Sequence, residues 1–355
     1  MAAPISPKKR KIDMAKSLRV GFIGCGRHAT KMLYPSLHLA RLELAAVCDI
    51  DEGKAKRNAR WFGAERVYTD HMQMLENEPL DAVLICTSPA THTPLALDCI
   101  ERNLPVFVEK PPARNLAEVE HLRSRSKALN VPIMMGTMKR HSLIYRRMKE
   151  IISAPDFGPM AAVEAKMGLG WKNGNGFALL LDAGIHTLDL LRYLMGDVVE
   201  VSHQKYSLDE THTSYAIALK FESGAVGTLS ISDQQLWMRN NERVEITGNG
   251  QFVLAENMIH LSHYKPDGEI SAWEPGYSIP NDENSSFFIG GYAGELRSFA
   301  EAIIEGRPMQ ASIDDACAAL RIVKQIEPEE VYAKGLVKGA QDYPHWQSEN
   351  YWLQD

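Results

Sequence analysis

The chain has little cysteine, five residues in 355, and no two of them form a C-x-x-C pair. Cys25, Cys48, Cys86, Cys99 and Cys317 are scattered and odd in number. That argues against a thiolate metal centre or a disulfide framework, and they read as reduced packing residues. Long apolar runs are missing too: no stretch approaches the ~18 residues that a membrane span requires. The start of the chain lacks the apolar segment of a secretory leader. These absences predict a cytoplasmic protein with no membrane partner and no metal. Positive charge is the scarcer sign, with 39 Lys and Arg against 45 Asp and Glu for a net charge of −6. The first seventeen residues hold Lys8, Lys9, Arg10, Lys11 and Lys16 against Asp13 alone, so the rest of the chain stands near −10. A body so charged repels nucleic acid, and no nucleic-acid partner is expected. The run from Lys8 to Lys11 has the composition of a nuclear import signal; a solvated tail, or an extension ahead of Met14, would read the same way.

What is present is enough apolar content, 45%, to build two cores of ordinary size. From Leu18 onward short apolar runs at 18–23, 43–48, 66–68, 82–87, 105–109 and 132–136 alternate with helical stretches at 28–41, 52–62, 70–77, 92–103 and 115–129. Such alternation predicts βαβ units and a doubly wound parallel sheet. Asp70 and Asn115 suit N-caps, and Pro94 suits a first helical turn. A helix over 142–152 leads to the turn cluster Asp156-Phe157-Gly158-Pro159. Beyond it, alternating runs at 160–167, 198–207, 214–221, 225–232, 243–247, 251–255 and 258–263 predict a large, mainly antiparallel open sheet. Helices at 178–195, 293–305 and 313–326 make this second part α+β. The fold class is α/β overall.

The first strand ends in Gly24-Cys25-Gly26-Arg27-His28-Ala29, a G-x-G-x-x-A turn opening a helix. The first glycine permits the tight turn, the second lets backbone approach a pyrophosphate, and the small third residue lets helix and strand pack closely. Unpaired N–H groups at the helix start then face the phosphates. Asp49, at the end of the second strand, is placed to accept hydrogen bonds from ribose hydroxyls and to repel a 2′-phosphate, which favours NAD over NADP. Asp51 is an alternative to it. Thr87 and Ser88 end the fourth strand and border the same crevice, with His92 either a cofactor contact or a helix-start residue.

The fifth strand, Val106-Phe107-Val108, runs into Glu109-Lys110-Pro111. Proline cannot continue a ladder, so Lys110 is expected at the carboxyl end of the sheet, where open α/β sheets place their ligands. Further along, Asp182 and His186 stand four apart in Asp182-Ala183-Gly184-Ile185-His186-Thr187-Leu188-Asp189 and would share one helix face. An acid beside a histidine suits general acid–base work. A metal site is the rival reading, and it lacks the third converging ligand it would need.

Together these pieces resemble the glucose-fructose oxidoreductase, inositol dehydrogenase and rhizopine-catabolism (Gfo/Idh/MocA) family, from Leu18 to about Lys324. The resemblance rests on the glycine turn, Asp49, Thr87 with His92, Glu109-Lys110-Pro111, Arg140, Phe157-Gly158-Pro159 and Asp182-x-Gly184-x-His186-x-x-Asp189. It implies a Rossmann domain, expected over 18–140, and a substrate-binding and oligomerisation domain, expected over 141–330; the charge run makes 1–17 a disordered basic tail, and 331–355 is left as an extension. It also implies that Lys110, Asp182 and His186 are catalytic, and that Gly24, Gly26, Arg27, His28, Asp49, Thr87, Ser88, His92, Glu109 and Lys110 hold NAD. Arg140 and His186 would meet the substrate, a sugar, inositol or related polyol whose secondary alcohol gives up a hydride. Where relatives carry a glycine-rich run, this chain has Trp171-Lys172-Asn173, so Trp171 and Asn173, with Tyr292, are substrate candidates; both aromatics also fit a core. A homodimer or homotetramer through the second sheet is expected. Two other functions suit the same pattern: a glycosidase or epimerase that oxidises transiently, and a non-catalytic NAD-binding regulator such as the yeast galactose-pathway repressor.

Overall fold

The computed structural model describes residues 17–169, 175–235, 241–276 and 285–328. They divide into two compact units. The first takes the residues up to Pro112, then His121–Gly136 and Tyr292–Ile313; the second takes Ala113–Glu120, Thr137–Gly291 and the residues from Asp314 on.

The first unit is built on six parallel strands: β1 (Leu18–Ile23), β2 (Leu42–Cys48), β3 (Arg66–Tyr68), β4 (Ala82–Ile85), β5 (Val106–Glu109) and β6 (Ile133–Gly136). Their order is β3-β2-β1-β4-β5-β6, so the winding reverses between β1 and β4. Strands covered on both faces need apolar side chains at every position, and β4, β5 and β6 are buried throughout. Asp70 and Asn115 accept hydrogen bonds from Met72 N–H and Glu118 N–H, as caps should.

Two helices of this unit differ from expectation, and proline explains both. The segment read as one helix over 28–41 is a wide π-turn at Ala29–Leu33 followed by a tight 3-10 stretch at Tyr34–Leu39. Pro35 has no N–H to return to the preceding turn, so the α-ladder cannot run through it. The helix read as 92–103 starts at Pro89, with Ser88 as N-cap, and ends at Ile100. Pro89 fits the first helical position. Pro94 therefore lies inside the helix rather than in its first turn.

The late helix Tyr292–Glu305 packs with this parallel sheet. Leu296, Phe299 and Ala300 join Phe22, Phe107 and Met134 in one core, and the Phe107 and Phe299 rings meet edge-on at 5.9 Å. After the helix, Met135 N–H donates to the Ala311 carbonyl at 2.7 Å, and Ser312 bridges to Met134. Chain order had placed this stretch in the 141–330 domain.

The second unit holds β7 (Met160–Gly168), β8 (Val198–Asp209), β9 (His212–Phe221), β10 (Val226–Ser232), β11 (Asn241–Gly248), β12 (Gln251–Glu256), β13 (His260–Tyr264) and β14 (Ile270–Trp273). Their order is β14-β13-β12-β11-β7-β10-β9-β8, antiparallel except for the β7–β10 pair. One face is buried through Tyr215, Ile217, Leu219, Leu229, Ile231, Val244 and Ile246. The other face presents Glu164, Lys166, Ala216, Ala218, Ser230 and Arg243 along a shallow concavity of ≈ 580 Å³. β14 escaped the sequence reading because an exposed edge strand carries no apolar alternation.

Candidate functional site

At the carboxyl ends of β1 and β4, where the strand order reverses, the first unit opens a crevice of ≈ 530 Å³. Open α/β sheets bind ligands at this reversal point. Gly24, Gly26, Arg27, His28, Asp49, Thr87 and Ser88 all line it. Gly24 has φ +106°, and a β-carbon there would lie 2.1 Å from the Cys86 carbonyl oxygen, so β1 and β4 approach each other only because the side chain is absent. A β-carbon at Gly26 would meet nothing within 4 Å. The backbone there faces open space, which a pyrophosphate can enter.

The turn is clamped from two sides. Asp49 Oδ2 accepts the Cys25 N–H at 2.6 Å, and Arg57 Nη2 donates to the Cys25 carbonyl at 3.0 Å. Asp49 Oδ1 accepts the Asp51 N–H at 2.9 Å. Each carboxylate oxygen keeps a further lone pair for a ribose hydroxyl. Asp51, the alternative to Asp49, instead caps the helix Glu52–Phe62 through Lys54 N–H and pairs with the Lys54 ammonium. These features fit an adenine dinucleotide: Gly24 to Ala29 for its phosphates and Asp49 for its ribose.

His92, near the start of the helix Pro89–Ile100, has two partners within the first unit. It is buried; its Nε2 accepts the Thr87 N–H at 3.2 Å, so its Nδ1 carries the proton and donates to the Pro111 carbonyl at 2.8 Å. Burial pushes its pKa down, which keeps the ring neutral and this pattern intact. The imidazole ties the loop after β4 to the residues after β5. Glu109 is likewise internal. Its Oε1 meets His28 Nε2 at 3.1 Å and its Oε2 accepts the Lys110 N–H at 2.8 Å. Burial works to raise the Glu109 pKa, but the adjoining His28 and Lys110 overcome it and hold the carboxyl below its ordinary value. His28 remains 42% exposed at its side chain and lines the crevice. Lys110 follows β5 and is half-buried. Tyr292 begins its helix at the edge of the core, its ring 5.7 Å from that of His28.

In the second unit the helix read over 178–195 has three parts: Gly176–Leu179, a π-turn at Leu180–Gly184, and Ile185–Met195. Gly184 closes the wide turn, packed against Leu180 and Ile231 and without a side chain to stiffen an α-ladder. Asp182 sits inside that turn, so the four-residue spacing to His186 is not that of a regular helix. Wide turns of this kind are frequent at functional sites. From Gly176 to Leu191, every residue is buried except Asp182 and His186.

Arg140 does not fit the substrate role expected of it. Its guanidinium is 4% exposed and forks onto Asp189, itself 0% exposed, with Nε to Oδ2 at 2.6 Å; Asp315 lies 3.2 Å away. A planar fork and a matched carboxylate make a structural pair. Trp171 and Asn173 lie outside the described residues. Sequence reading missed Ile50, Lys54 and His71, which also line the crevice. Ile50, 96% exposed, left a signal: an isoleucine between two aspartates in a strand-to-helix turn, where no core needs it. Among the described residues no cluster of His, Cys, Asp and Glu could hold a metal, and no helix is long and apolar enough to cross a membrane.

Residues 18–137 match the profile of the oxidoreductase family, NAD-binding Rossmann fold, and residues 152–326 match the same family's C-terminal alpha/beta domain. Inositol 2-dehydrogenase 4 of Saccharopolyspora erythraea is 30% identical over 325 residues, covering 86% of this chain and 90% of its own length. Myo-inositol 2-dehydrogenase of Thermotoga maritima is 26% identical over 326 residues, covering 85% and 93%. The crystal structure of a dehydrogenase from Chromobacterium violaceum superposes with a TM-score of 0.82 at 24% identity, over 88% of this chain and 94% of that one, which shows the shared fold. With its glycine turn and Asp49 lining a crevice at the strand reversal, and with both halves matched in order, the chain belongs to the Gfo/Idh/MocA oxidoreductase family and carries that family's NAD-binding Rossmann fold.

Proposed function

We propose that the chain oxidises a secondary alcohol of an inositol, sugar or related polyol, using NAD. The observation that carries this reading is the pair Asp182 and His186, the two positions left accessible on an otherwise buried helical segment of sixteen residues. Relatives named inositol 2-dehydrogenase and D-apiose dehydrogenase support the substrate class. Bound NAD supplies a hydride acceptor. In this reading His186 removes the hydroxyl proton, Asp182 orients the imidazole, and Lys110 hydrogen-bonds the oxygen as negative charge develops on it. Gly24, Gly26, Arg27, His28, Asp49, Thr87 and Ser88 hold the cofactor, with Glu109 and His92 acting behind them.

The test is a panel of inositols, pentoses, hexoses and sugar acids scanned for NADH formation. His186→Ala should lower kcat by about 10²–10⁴-fold. Lys110→Ala should depress turnover far more than it weakens NAD binding. No NADH from any member of the panel, or full activity in both variants, would refute the assignment.

A homo-oligomer belongs to the same proposal. The open face of the second sheet carries exposed Tyr206, Leu208 and Val226, and a second copy of the chain would cover it. Light scattering should give at least twice the chain mass, and Ala218→Arg, on that face beside the edge strand β8, should reduce it. Cytoplasmic placement fits five buried cysteines, none joined in a disulfide among the described residues, which need no oxidising compartment. The basic run Lys8–Lys11 lies outside the described residues, and its import-signal reading finds no support in the comparisons.

A further inference from the structure

Glu295 sits on the first turn of the helix Tyr292–Glu305, is 0% exposed, and neither of its carboxyl oxygens has a hydrogen-bond partner among the described residues. A buried carboxylate so placed is one of the more costly groups a fold can hold. No cation among the described residues acts on it. Among the described residues, the titratable groups whose charge acts on it or that feel its own are Glu109 at the end of β5, Cys86 just after β4 and Tyr292 on its own helix, with His28 and Lys110 beyond Glu109. Glu109 already carries the negative charge, held by His28 Nε2 at 3.1 Å and by the Lys110 N–H at 2.8 Å. Two carboxyl groups sharing one internal site cannot both ionise cheaply.

We propose that Glu295 is a protonated acid and a positioning residue for the cofactor crevice: by staying neutral it leaves Glu109 as the single charge that fixes His28 at the crevice wall and the backbone at Lys110. The environments push the two acids in opposite directions. Burial, and then the Glu109 charge, raise Glu295 well above the usual carboxyl range, while His28 and Lys110 hold Glu109 below it. A pair set apart in this way carries one proton in a defined place. Because His28 lines the crevice, NAD bound there would alter the field that the pair feels.

The inference rests on the crevice taking NAD, so binding is measured first, by fluorescence titration of the full chain. Infrared difference spectroscopy then reads the carbonyl stretch of a protonated carboxyl. The expected result is such a band at neutral pH, absent in Glu295→Gln and displaced when NAD is added. The affinity of Glu295→Gln for NAD should also hold to a higher pH than that of the unmodified chain, moving the alkaline midpoint by at least about one unit. If Glu295→Gln does not fold, Glu109→Gln takes its place: with the neighbouring charge gone, the Glu295 band must shift and titrate at lower pH. No protonated-carboxyl band, a band indifferent to NAD together with an unchanged pH profile, or a band unmoved in Glu109→Gln would each overturn the proposal. Failure to bind NAD at all would instead sink the cofactor reading.

Discussion

Asp49 shows how one side chain is fixed before any ligand arrives. Its two oxygens accept backbone N–H groups from Cys25 and Asp51, which pins the carboxylate between the glycine turn and the next helix. Those bonds hold it in one orientation, so little ordering remains for binding to require. Asp49→Ala should weaken NAD binding by about ten- to a hundredfold, since a hydrogen bond to a charged group contributes roughly 1.5–3 kcal/mol. NADP should suffer less, because the repulsion of its 2′-phosphate is removed at the same time. Titrating the variant with both cofactors checks this; an unchanged NAD-to-NADP ratio would argue that Asp49 does not face the ribose. Ile50 beside it is the complement, an apolar side chain left in solvent at the crevice.

At the scale of elements, the clearest test concerns the Arg140–Asp189 fork, which joins the 3-10 turn Met138–His141 to the helix Ile185–Met195. Arg140→Ala strands a fully buried carboxylate, and breaking such a pair costs about 3–5 kcal/mol. Urea unfolding should show that loss, while the KM of the surviving folded enzyme stays near the parent value. A large rise in KM without loss of stability would restore the substrate role. Elements also show what the amino-acid sequence makes legible. The parallel strands were readable to within two residues, because burial on both faces demands uninterrupted apolar runs with turn residues at each end. That the glycine turn, Asp49, Thr87 and Ser88 line one crevice was legible because strand-end placement is local. The buried partners of Arg140 and His92 were not legible for a different reason: whether a polar side chain meets a ligand or a buried partner depends on residues such as Asp189, 49 positions away, or Pro111, 19 positions away. The π-turn around Asp182 was hidden as well, since its composition is that of an ordinary helix.

Over the whole molecule, Glu295 and Glu109 give opposite pH signatures to stability. Glu109, lowered on folding, contributes stability that is present above the ordinary carboxyl value of 4.5 and is lost as pH falls through its folded value. Glu295, raised on folding, does the reverse: its proton is kept in the fold and released on unfolding, so stability declines as pH climbs above 4.5 until the folded value is reached. The decline from one such group is about 1.4 kcal/mol per pH unit. Glu295→Gln should therefore be more stable than the parent at neutral pH, by an amount that shrinks towards pH 4.5. Denaturation of both proteins across that range gives the difference directly, and parallel curves would mean that Glu295 ionises in the fold.

The return of the chain at Tyr292 has a consequence for how this protein is made. Because Leu296, Phe299 and Ala300 complete the core around Phe22, Phe107 and Met134, a ribosome that has released residue 137 has not yet delivered everything the first sheet needs. The nascent half waits, with Phe107 and Met134 uncovered, while more than 150 further residues are translated. Synthesis from one end to the other is thus out of step with assembly, and the stretch around Phe299 acts as the last piece to be fitted. A nonsense mutation shortly after Gly136 would leave an incomplete sheet prone to clumping, rather than a small, self-sufficient nucleotide binder.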